Sequence, residues 1–111
     1  MFTEGQIVTV FRSRLRGDAN DNGYETHAAE ILALARTMPG FVDFKSFTAD
    51  DSERVSLVTF ADEASQKGWR EQSDHRAAQK AGRASYYAEY SIQVSTCTSV
   101  HTFTSTSTAG S

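Results

Sequence analysis

The side chains best suited to chemistry are gathered in one stretch, Gly68-Trp69-Arg70-Glu71-Gln72-Ser73-Asp74-His75-Arg76-Ala77-Ala78-Gln79, with Gly82-Arg83 just beyond it. It holds the only Trp, one of the three His, and several Arg. Histidine can take and return protons near neutral pH, because unperturbed imidazole titrates near about 6.5. An indole offers a flat face and an N–H donor, and a guanidinium stays charged at any working pH. Together such groups can line a pocket. His27 and His101 lie far from His75, and no two of the three have the helical spacing of metal ligands, so no dedicated metal site is expected. Cys97 is the only cysteine, which excludes an internal disulfide and a thiolate metal cluster.

The elements that must position these residues follow from periodicity and turn chemistry. Gln6 to Arg12 is β-rich, with apolar residues at both parities, so both faces of that strand should be covered. The run from Gly17 to Gly23 is turn sequence. Asn22 can cap a helix, with Glu25 closing a capping box. On that helix Tyr24, Ala28, Ile31, Ala35 and Met38 form one apolar stripe, and Pro39-Gly40 ends it. Phe41 to Thr48 and Val55 to Phe60 read as strands joined by a hairpin loop at Ala49 to Ser52. Asp62 suits the cap of a short helix towards Trp69, and Ser73 or Asp74 that of another reaching about Gly82. From Ser85 the pattern alternates, with Tyr86, Ala88, Tyr90, Ile92 and Val94 on one face. Thr-rich sequence lets this strand run past Cys97 towards Phe103.

The order β-α-β-β-α-α-β predicts an α+β, ferredoxin-like split βαβ fold: a four-stranded antiparallel sheet, with its second helix broken in two. Helices would cover one face only. The apolar residues of the other face predict a homodimer with sheets packed face to face. Residues 1–103 form the expected domain, and the Ser/Thr-rich residues 104–111 an expected mobile tail.

Length and charge exclude several classes. The 111 residues allow one domain with a modest core. A net charge of -3 argues against nucleic acid as the main partner. No apolar run approaches the roughly 20 residues that cross a bilayer. The first residues lack the basic start and apolar core of a signal peptide, so a cytoplasmic location is expected.

Several pieces in this order resemble the antibiotic biosynthesis monooxygenase superfamily of dimeric α+β barrels. They are Met38-Pro39-Gly40-Phe41, Val58-Thr59-Phe60, Trp69-Arg70, Asp74-His75-Arg76, Ala78-Gln79, Gly82-Arg83 and Tyr86-Tyr87. The resemblance runs from about Gln6 to Phe103. It implies oxidation of a small electron-rich aromatic (a phenol, anthrone or quinol) by O2 without flavin, haem or metal. Such chemistry needs a base, a dry pocket and donors for the resulting anion. On that reading His75 is the base and Trp69 stacks on the substrate. Arg83 or Arg76 would hold the anion or a peroxide. His27 is the alternative base, and Tyr86 and Gln79 are further substrate contacts. Haem-degrading members place a His on the second half of the broken helix and an Asn on the first strand. Here Gln79 holds that helix position, and Gln6 to Arg12 contains no Asn. Two alternatives stand beside the oxygenase: a haem-binding or haem-degrading enzyme, and a non-catalytic dimeric module that binds a small molecule.

Overall fold

The computed structural model describes residues 2–106. It contains strand β1 (Ile7–Leu15), helix α1 (Tyr24–Thr37), strands β2 (Phe41–Thr48) and β3 (Arg54–Phe60), helices α2 (Glu63–Glu71) and α3 (Ser73–Ala81), and strand β4 (Tyr87–Thr96). A π-helical turn over Gly82–Tyr86 joins α3 to β4. The sheet order is β2-β3-β1-β4, every neighbouring pair antiparallel, which is the ferredoxin-like α+β arrangement with a broken second helix.

Register assigns the faces. Ile7 pairs with Phe60, and Thr9 with Val58. Phe60 and Val58 join Ala35 of α1 and Trp69 of α2 in the buried core, with Ile31, Leu34, Met38, Phe41 and Phe44 packed against it. Because side chains alternate along a strand, Val8, Val10, Val55 and Leu57 lie on the opposite face. Phe47, opposite Val55, lies there too and is 48% exposed.

Local chemistry places the elements, sometimes by other residues than expected. Gly40, at φ +79, turns α1 into β2, and a β-carbon there would run into the Ser65 side chain. Asp62 caps α2 as expected: its carboxylate accepts from the Ser65 N–H at 2.8 Å, completing a capping box. The start of α1 departs from expectation. Its cap is Gly23 in the left-handed region, with no side-chain bond. Asn22 instead donates its amide to the Ser85 carbonyl at 2.8 Å, tying the turn to the far end of the chain. For α3 the cap is neither Ser73 nor Asp74 but Gln72, whose side-chain oxygen accepts from the His75 N–H at 2.9 Å.

Strand β4 departs in two ways. Tyr86 belongs to the π turn rather than the strand, and a bulge opposite Arg14/Leu15 sets Leu15 against Tyr87. The residue sharing a face with Tyr90 is therefore Tyr87. The strand also stops at Thr96, where its partner β1 runs out at Ile7; beyond it Phe103 is 81% exposed. Of the expected tail, residues 107–111 lie outside the described residues. No helix among the described residues is long and apolar enough to cross a membrane.

Candidate functional site

The break between α2 and α3 is held by reciprocal capping. Gln72 closes the start of α3, while the His75 ring turns back so that its Nδ1 lies 3.0 Å from the Trp69 carbonyl at the end of α2. A carbonyl only accepts, so Nδ1 carries the proton and donates. The imidazole lies flat on the indole, ring centres 4.0 Å apart and planes within 11°. Phe60 stacks on the same indole at 6.2 Å, and Trp69 is only 4% exposed. At that exposure, and with His75 lying on it, the indole offers little surface to a substrate ring. The expected stacking role gives way to packing. Burial pushes the His75 pKa below its ordinary value, and the bond to the Trp69 carbonyl opposes this only in part. The His75 Nδ1 is held by that carbonyl, and its ring lies stacked on the indole.

His27 is placed differently. It occupies the inward side of α1 one position before Ala28, which the stripe of apolar residues had favoured and which is exposed. Its Nδ1 is 2.9 Å from the hydroxyl of Tyr86, a residue 9% exposed in the π turn. The two rings meet edge to face at 5.6 Å. His27 also opens onto a hollow of about 530 Å³ between α1 and α3, whose wall includes Glu30, Ile31, Leu34, Asp74 and Ala77. Its walls mix aliphatic carbon with a few polar groups, and because most of the lining residues are exposed it is an open groove rather than an enclosed cavity.

A cluster of aromatic rings backs this pair. Tyr24, three residues before His27, meets Tyr86 edge-on at 5.5 Å and Tyr87 at 6.0 Å. Phe11 of β1 packs against Tyr87 and Tyr90 at 5.3 and 5.4 Å. Burial, together with the neighbouring Tyr24 hydroxyl, raises the Tyr87 phenol well above its ordinary range, so it is a neutral donor. The position of Gly82 explains why the turn can reach this cluster: a β-carbon there would come within 2.5 Å of the Tyr87 ring.

The remaining expected residues are dispersed. Arg83 is exposed and donates to the Tyr90 hydroxyl at 3.3 Å, bracing the π turn against β4. Arg76 is exposed on α3 and Gln79 half-buried. The structure therefore brings His27 and Tyr86 together, sets Trp69 with His75 in a separate stack, and unites neither pair with Arg76 or Arg83. Sequence reasoning missed Tyr24 and Tyr87 as site residues. The three-residue spacing from Tyr24 to His27 was a usable signal, whereas the bulge that turns Tyr87 inward left none. Among the described residues no three His, Cys, Asp or Glu side chains converge as metal ligands.

Comparison with known proteins agrees on the fold. Residues 7–81 match the family model described as antibiotic biosynthesis monooxygenase. The YqjZ protein of Bacillus subtilis (strain 168), itself uncharacterised, is 29% identical over 75 residues, 68% of this chain. The match spans 66% of that protein's length. Among solved structures, SnoaB, a cofactor-independent oxygenase from Streptomyces nogalater, superposes with a TM-score of 0.68 at 18% identity, covering 98% of this chain and all of that one. Rv0793 from Mycobacterium tuberculosis gives 0.70 at 12% identity, covering 92% and 99%.

Proposed function

Because the chain belongs to the antibiotic biosynthesis monooxygenase family, we propose that it oxidises a small electron-rich aromatic with O2 and needs no flavin, haem or metal. The observation that carries this reading is the His27–Tyr86 pair beside the hollow between α1 and α3. The structural likeness to SnoaB, a cofactor-independent oxygenase, supports it.

In the proposed reaction His27 donates its Nδ1–H to the Tyr86 hydroxyl oxygen and, through the free Nε2, takes the proton of a phenol or of an anthrone methylene. A fixed partner on one ring nitrogen sets which nitrogen is free to act. The electron-rich anion then reduces O2. One oxygen atom enters the product as a new carbonyl and the other leaves as water, so the substrate, losing two hydrogens and four electrons in all, is the only reductant. His75 acts here as a positioning residue, holding α2 to α3 through the Trp69 stack. The working unit is the 1–103 domain, acting in the cytoplasm as a homodimer joined through the open face of the sheet.

The test is oxygen consumption in metal-free buffer with a panel of quinols and anthrones. Wild type should consume one O2 per molecule oxidised above the spontaneous rate, and His27→Ala should lose that excess. A His27→Ala protein that keeps the wild-type rate removes the assignment.

A further inference from the structure

A second hollow, of about 410 Å³, lies where β1 ends and β3 begins, lined by Arg14, Leu15, Thr48, Ser52 and Arg54. Its two arginines differ in what they already hold. Arg14 lies 2.7 Å from Asp51 and 3.2 Å from Glu89, and also donates to the Asp51 carbonyl at 2.9 Å. The nearby Glu53 is taken by Arg12 at 2.6 Å. Asp51, Glu89 and Glu53 are thus each paired with an arginine. Arg54 makes no ion pair or hydrogen bond among the described residues; its guanidinium rests over the Tyr24 ring, 5.6 Å from the centroid. A cation–π contact holds the charge in place but uses none of the five N–H donors.

The surrounding groups suit an acceptor-rich ligand. Ser52 sits at φ 72 in the hairpin, a backbone state that glycine or asparagine adopts more readily. Ser52 and Thr48, both hydroxyl-bearing, line the hollow together with Arg54. Tyr24, under Arg54, also meets Tyr86, the partner of His27, so two tyrosine rings link Arg54 to His27.

We propose that this hollow binds the oxyanion end of a small ligand, a carboxylate or a phosphate, with Arg54 as the charged anchor and the hydroxyls of Thr48 and Ser52 as further donors. A planar guanidinium with free N–H edges matches both groups. The site does not depend on the oxygenase reading, because binding is measured without turnover.

The experiment is a calorimetric or NMR titration of the protein with benzoate, inorganic phosphate and benzyl alcohol. Saturable binding of at least one anion is expected, with benzyl alcohol at least about tenfold weaker, as the loss of a charged hydrogen bond requires. Tighter benzoate points to a carboxylate ligand, and tighter phosphate to a phosphorylated one. Arg54→Gln should weaken the anion by about tenfold or more, Arg54→Lys should keep part of the affinity, and Arg14→Gln should change it less. The proposal is overturned if benzyl alcohol binds as well as benzoate, if neither anion saturates across the millimolar range, or if Arg54→Lys and Arg54→Gln both bind like wild type.

Discussion

At the scale of single residues, the two inward histidines are both held at Nδ1 and separate by what surrounds the ring. His75 donates to a backbone carbonyl and lies on Trp69; His27 faces a phenol hydroxyl beside an open hollow. The depressed pKa of His75 has a consequence for stability. Its unfolded form takes up a proton more readily than the folded one, so the folded state is fully favoured above the ordinary histidine range. That advantage declines as pH falls from about 6.5 through the lowered folded value. Unfolding midpoints measured between about pH 8 and pH 5 should fall towards acid in wild type and flatten in His75→Gln. Equal slopes in both would show that His75 is not the group responsible. Asp18, Asp51 and Asp62, whose hydrogen bonds hold them below the usual carboxylate range, contribute stability above that range and lose it only in stronger acid, so the two windows are separable. The sequence named Trp69, His75, His27 and Tyr86 as candidates, but their directions were not legible. Successive helix positions differ by about 100°, so the preference for His27 over Ala28 as the inward residue is decided by what lies beneath the helix.

At the scale of elements, the site depends on three irregularities: the capped break at Gln72, the π turn over Gly82–Tyr86 and the bulge opposite Leu15. Periodicity found the strands and the first helix, because amphipathic stripes and alternation come from burial on one face, and cap residues marked the two short helices. It placed Tyr86 in β4 because nothing in the run of side chains marks the extra residue that the bulge absorbs. Gly82 is where this can be tested. A methyl group there must displace the Tyr87 ring, so Gly82→Ala should cost about 1–3 kcal/mol in urea unfolding and alter the near-ultraviolet signal of the tyrosine cluster. Unchanged stability and spectrum would mean the turn has more room than its geometry indicates.

At the scale of the whole molecule, the sheet carries its helices on one face and leaves Val8, Val10, Val55, Leu57 and Phe47 on the other. This imbalance was legible in the sequence, since β1 has apolar residues at both parities. What covers the face was not, because a single chain's pattern records the need for burial and not the partner. If two copies meet there, sedimentation should give a dimer, and Leu57→Asp should yield a monomer by placing a carboxylate in the apolar face. A wild-type monomer, or a variant still dimeric, would send the interface elsewhere.

The proposed chemistry is oxidation of an aromatic by O2 at the His27–Tyr86 pair. It is met most directly by an oxygen electrode, with quinols and anthrones in buffer free of flavin, haem and metal. Uptake above the spontaneous rate is expected in wild type, with a loss of about a hundredfold in His27→Ala, the lower end of what a positioned base contributes. A ligand that binds and is returned unchanged in air, or a His27→Ala protein as fast as wild type, would contradict it.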